Sequence, residues 1–148
     1  MNNENDKGLM KVGPNDILNI PDELKLIKEV DMAVDKARYD YEEANNTKIS
    51  LYDFVAEKCN ITTSLYKNMQ NEDRANKWSR TALGKLCVGL GLTIDEANEL
   101  FLLQGGKLNE TNALDKIIYC ALRDKDNIHD FCDEVLEYTG KNIASFKK

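Results

Sequence analysis

Apolar residues recur along this chain at helical spacing and nowhere alternate as they do in a strand. Ile27, Val30, Val34, Ala37, Tyr41 and Ala44 fall three or four apart. That stripe predicts one long helix running from "IPDELKLIKEV" to about residue 45. Pro21 suits its first turn, and Asp22 and Glu23 suit its positive end. The same spacing is that of a coiled-coil seam, so the stripe either packs on its own domain or joins two copies. "NNTKIS" breaks the pattern. Ser50 then caps "LYDFVAEKC", Asn60 turns the chain, and Thr62 or Thr63 caps "TSLYKNMQ". After the polar loop "NEDRANKWS", Ser79 caps "RTALGKLCVGL", with Leu83, Leu86, Cys87 and Leu90 inward, and Gly91 stops it. Thr93 with Glu96 forms a capping box for "IDEANELFLLQ", which ends at Gly105–Gly106. Two further helices are expected. One runs from Glu110 to Asp124 with Leu114, Ile117, Ile118 and Ala121 inward. The other runs from Ile128 to Tyr138 with Phe131, Cys132, Val135 and Leu136 inward. The fold class predicted is all-α, about seven helices.

Composition narrows the class. The 148 residues suffice for one domain with a real core. No run approaches the roughly 18 apolar residues of a membrane span. The N-terminus "MNNENDKGLMKVGPND" lacks a signal-peptide core, so a cytoplasmic protein is expected. Cys59, Cys87, Cys120 and Cys132 stand far apart among apolar residues and read as buried thiols rather than ligands. His129 is the only histidine, and with Cys132 it makes two ligands where structural zinc needs four. No metal or cofactor is expected. No Gly-rich loop follows a strand and no nucleophile pattern surrounds His129, so no enzymatic activity is expected either.

The charge is unevenly placed. The chain carries −6, but residues 48–91 carry +3 between flanks of −5 and −4. That basic stretch contains the two short helices around Asn60. Ala56 stands where two steeply crossing helices approach most closely. Val55, Cys59, Ile61, Tyr66 and Met69 fall where the pair must bury apolar area. Thr62, Thr63, Ser64, Lys67 and Asn68 mark the outward start of the second helix. They are short donors and acceptors plus one cation, suited to base edges and phosphates in a major groove. Lys48 and Lys58 precede them, and Arg74, Lys77 and Arg80 follow. The same geometry also serves simply to pack two helices, with a polar helix start facing water.

"YDFVAEKCNITTSLYKNMQN" followed by "SRTALGKLCVGLGLTIDEANELFLLQGG" resembles the lambda-repressor-like helix-turn-helix domain of Cro/repressor-type (XRE-like) bacterial and phage regulators, over about residues 30–105. "LDKIIYCALRDKDNIHDFCDEVLEY" is similar to a C-terminal helical extension in a subgroup of such proteins. The resemblance implies a helix-turn-helix domain over 20–106, preceded by a flexible segment 1–19 and followed by a packed helical extension over 107–148. It implies a homodimer on palindromic double-stranded DNA, with the third helix, about 62–70, in the major groove. Ala56 matches the small residue of the second helix and Ile61 the apolar residue before the third. Thr62, Thr63, Ser64 and Lys67 match the DNA-reading surface, and Asn71–Ser79 a segment that often follows the backbone. Asn60 stands where the family usually has Gly, and Tyr52 near a Gln that often contacts phosphate. The third helix has no Arg, and Trp78 is unusual in its loop; it either plugs the core or stacks on a ligand or partner.

Two expectations follow. The first is a sequence-specific DNA-binding transcriptional regulator using Lys48, Thr62, Thr63, Ser64, Lys67, Asn68, Arg74, Lys77 and Arg80, with Lys67 and Arg80 exposed. Its dimer seam is the long first helix or, by preference, the C-terminal helices, and its acidic segments lie away from the third helix. The alternative is a non-enzymatic interaction module (an adaptor, an antitoxin-like protein or a mobile-element inhibitor) whose acidic helices bind a protein partner on a helix-turn-helix scaffold.

Overall fold

Pro21 stands just before the first helix, and its carbonyl accepts the amides of Leu24 and Lys25. In the computed structural model, which describes residues 21–71 and 78–146, helix α1 spans Asp22–Asn45. Six more helices follow among the described residues: α2 (Leu51–Cys59), α3 (Thr63–Gln70), α4 (Arg80–Leu90), α5 (Ile94–Gln104), α6 (Ala113–Asp124) and α7 (Ile128–Thr139). The chain is all-helical over these residues, as expected. The flexible segment proposed for residues 1–19 lies outside the described residues.

The capping chemistry read from the sequence sets most of the boundaries. Ser50, Thr62 and Ser79 each accept a backbone N–H three residues on, and Thr93 and Glu96 complete a capping box. The sixth helix begins later than Glu110. Asn109 accepts both the amide and the hydroxyl of Thr111 in a tight turn, and Asn112 becomes the N-cap.

The stripe on α1 is spent inside the molecule. Leu26, Ile27, Val30 and Val34 are buried, Ala37 and Tyr41 are partly buried, and Ala44 alone of the stripe is exposed. The helix packs against α2, α4 and α5 of its own chain. Its last turns also hold the link to α2. Glu42 accepts the Ile49 amide, and Arg38 donates to the Ile49 carbonyl.

Helix α4 is the axis of the fold. Ala82 to Val88 are all buried, and α1, α2, α5, α6 and α7 all touch it. Two glycines make this possible. A side chain at Gly84 would collide with Ile118 on α6, and one at Gly89 would stand 2.7 Å from the Cys59 Cα. The close crossing of α2 over α4 therefore requires Gly89, although a mid-helix glycine costs about 1 kcal/mol relative to alanine.

On α6 and α7 the inward set differs from the expected one. Ile118, Ala121, Leu122, Ile128, Phe131, Cys132 and Val135 are buried, whereas Leu136 is 46% exposed. The hairpin rests mainly on one neighbour, α4, and so needs only the narrow stripe through Ile128, Phe131 and Val135. Leu136 falls beyond its edge.

Candidate nucleic-acid interface

The α2–α3 unit is built around a left-handed residue. Asn60 has φ 57° and ψ 40°, and its amide bonds the Ala56 carbonyl to close α2. Asparagine tolerates this conformation where most residues do not. Ile61 then drops into the core with no exposure, and Thr62 caps α3 by accepting the Leu65 amide at 3.2 Å. Val55, Cys59, Ile61 and Tyr66 are buried beneath the pair, and Met69 is partly buried.

The inner face of α3 is fixed to α1. The Tyr66 hydroxyl and the Gln70 amide both donate to Asp31 Oδ1 at 3.1 Å. Tyr66 sits edge-on to Tyr52 at 6.2 Å and to Trp78 at 5.9 Å between ring centroids. Trp78 is 2% exposed, so it plugs the core and offers no stacking face. Burial and the nearby Asp31 carboxylate push the Tyr66 hydroxyl far above its ordinary pKa, so it stays a donor. Behind α2, burial likewise pushes the Cys59 thiol up to about 12 and the Cys87 thiol well above its usual range.

The outer face of α3 carries Thr63, Ser64, Lys67 and Asn68, all exposed. The Lys67 ammonium lies 5.1 Å above the centre of the Tyr52 ring. Tyr52 thus fixes a cation beside α3. Thr62 is half-buried and committed to capping. The Lys48 side chain is 90% exposed, with Glu42 3.9 Å away.

Arg80 departs from the expectation of an exposed cation. Its guanidinium forks onto Asp115 at 3.0 and 2.7 Å, and also donates to Gln104 Oε1 and to the carbonyls of Gly106 and Lys107. It lies 4.8 Å above the Phe101 ring. Asp115 is 3% exposed, so this is a buried carboxylate neutralised from one side. The helix bearing Arg80 is thereby tied to the start of α6, and no donor is left to point at a ligand. Lys85 is also buried, at 3% exposure. Two of the cations behind the local +3 are therefore committed to partners within the chain. Arg74 and Lys77 lie outside the described residues, as does most of the loop expected to follow the DNA backbone.

Acidic side chains collect elsewhere. A groove of about 510 Å³ between α1 and α5 has an apolar floor at Met32, Ala33, Ala37 and Leu100, and carries Glu29, Glu96 and Glu99 beside an Asp40 paired with Lys36 at 3.0 Å. At 100° per residue, this stripe of α1 and Asp31 lie on opposite flanks of the buried stripe. The groove therefore faces away from the side of α1 that holds α3. On α2, Asp53 and Glu57 are exposed on the face opposite Val55. Near the α6–α7 turn, burial and then Asp126, Asp124 and Asp130 raise the pKa of the Glu134 carboxyl.

Among the described residues no three His, Cys, Asp or Glu side chains are grouped to hold a metal, and no helix is long and apolar enough to cross a membrane. Compared with family models, curated proteins and solved structures, the chain matches none of them.

Proposed function

We propose that α2 and α3 form a DNA-reading helix-turn-helix, and that the chain is a sequence-specific DNA-binding regulator acting as a homodimer. One observation carries the reading. A short helix is locked from behind by Tyr66 and Gln70 on Asp31 and shows only short polar groups and one held lysine in front. A rigid polar helix of this kind meets the need of base-edge readout, where side chains must reach without refolding. Thr63, Ser64 and Asn68 are assigned to bases, and Lys67 and Lys48 to phosphates.

Pairing is assigned to the C-terminal hairpin. The α1 stripe is already spent on the core, whereas Tyr138, Leu136 and Tyr119 stand 68%, 46% and 39% exposed on α6 and α7. With few free cations among the described residues, one copy releases few counterions from these, and two half-sites are needed for tight binding at physiological salt. The test is selection from a random duplex pool followed by titration at two salt concentrations. Recovery of a palindromic sequence bound by two copies supports the reading. Equal, weak binding to all sequences overturns it.

The acidic groove between α1 and α5 favours a second reading, that of a protein-interaction module. An apolar floor with carboxylates around it suits an amphipathic helix with Lys or Arg along its edges. Met32→Glu, at a residue 58% exposed, should abolish such docking and leave DNA binding alone.

A further inference from the structure

After α7 the chain does not leave the molecule. Gly140 turns it with φ 75°, and residues 141–146 run back past α4 to the turn between α2 and α3. Two buried polar side chains receive this strap. Asn60 Oδ1 accepts the amides of Ser145 and Phe146, and its Nδ2 donates to the Phe146 carbonyl at 3.0 Å. Lys85 Nζ donates to the Ile143 carbonyl at 2.7 Å and to the Ser145 hydroxyl at 3.1 Å. Asn60 is 2% exposed and Lys85 3%.

These two residues are costly to bury. Burial pulls the Lys85 pKa below the ordinary lysine value, and among the described residues it has no carboxylate partner. The bonds that Lys85 and Asn60 make to the strap are what compensate the buried ammonium and amide. All but one run to main-chain atoms, so the cleft reads the peptide backbone of a tail that bends at Ser145 and Phe146. Asn60 is also the residue that sets the turn before α3. A contact made 85 residues away in the chain therefore bears directly on how α3 is presented.

We infer that the cleft of Asn60 and Lys85 is a main-chain-binding site, that residues 143–146 fill it as a latch, and that the filled cleft holds α3 in its presented position. Asn60 and Lys85 are then positioning residues for the α3 surface, and the C-terminal hairpin controls that surface through its tail. The DNA arm of the test rests on the reading proposed above; the exchange arm does not.

The experiment uses full-length variants and amide hydrogen exchange, with DNA titration alongside. Asn60→Gly keeps the left-handed turn, which glycine adopts freely, and deletes the three bonds to the strap. Ser145→Pro leaves the α2–α3 unit untouched and removes from the tail one amide donor and the hydroxyl that accepts from Lys85. Ser145→Ala keeps that amide and removes only the hydroxyl, so it separates the main-chain bond from the Lys85 contact. In both latch variants the Phe146 amide should lose protection, and the amides of α3 should exchange about tenfold faster. Affinity for the selected duplex should fall by a similar factor. Ser145→Ala should fall between the parent and Ser145→Pro in both readouts, since Lys85 loses one of its two acceptors while the main-chain bonds remain. Release of the tail with unchanged exchange in α3 would overturn the latch. If the parent binds no duplex selectively, the DNA reading fails while the exchange result still decides the latch.

Discussion

Lys67 and Arg80 look alike in the sequence, each a cation of the basic stretch on a short helix, yet the molecule uses them in opposite ways. Lys67 stands outside on α3, steadied only by the face of the Tyr52 ring. Arg80 is drawn under the linker that joins α5 to α6 and forks onto a carboxylate that is 3% exposed. One charge is offered to solvent; the other is consumed in holding two parts of the chain together. Formal charge along a segment therefore overstates the charge a ligand meets. The basic segment is less positive on its surface than on paper, which makes pairing of two copies more important to any DNA contact.

The largest effect that would break this comparison belongs to Arg80. Arg80→Ala should cost about 3–5 kcal/mol in urea unfolding, because it strands a buried carboxylate. Arg80→Lys should recover only part, since an ammonium cannot fork onto Asp115 and reach Gln104 and two carbonyls together. A loss below about 1 kcal/mol would return Arg80 to the surface.

The second effect lies in the apolar layer behind α2. Cys59 holds its proton to about pH 12 and Cys87 beyond its usual range, whereas both thiols ionise near their ordinary value once unfolded. Between those values the unfolded chain binds fewer protons than the folded one, so stability falls as pH rises. The loss should start near the ordinary thiol pKa, about 8.5, with a slope of about 1.4 kcal/mol per pH unit for each thiol. Cys59→Ala with Cys87→Ala should begin less stable and lose that slope. An equal slope in the double variant would assign the alkaline loss to other groups.

The helices and their caps were legible because each cap acts on its own helix, within three residues. Ser50, Thr62, Ser79 and Thr93 needed no knowledge of the rest of the chain. Arg80 was misread because its carboxylate lies 35 residues further on, at a position that looks like an ordinary solvated Asp in the first turn of α6. The strap left no signal in periodicity, since residues 141–146 bind through main-chain atoms that any sequence possesses. One clue was nevertheless available: a lysine inside the apolar run of α4 asks for a polar neighbour. The fold was readable because its determinants are local; exposure was readable only where side chains act alone, as at Thr63, Ser64, Lys67 and Asn68 on the outer face of α3.

A third, smaller effect sharpens the inner side of α3. Tyr66→Phe removes the hydroxyl that donates to Asp31 and keeps the ring between Tyr52 and Trp78. Gln70 still donates to the same oxygen, so the carboxylate is not orphaned. Thermal or urea unfolding should show a loss of about 1 kcal/mol. A loss above about 3 kcal/mol would mean that the Gln70 bond does not survive without its neighbour.

The smallest stability effect carries the most information about function. Lys67→Ala removes an exposed ammonium and one cation–ring contact, together about 0.5 kcal/mol, so the fold should hardly change. If that ammonium meets a phosphate, the slope of log affinity against log salt should flatten by about 0.9 for each copy bound. Lys67→Arg should keep the slope, because the charge remains. Tyr52→Leu should keep the slope too, since the lysine is still present, but should weaken binding a few-fold by leaving the ammonium to be ordered at the moment of contact. The three variants separate charge from positioning. An unchanged slope in Lys67→Ala would mean that the one free cation described on α3 touches no phosphate, and the α2–α3 face would then have to be read as a surface for a protein.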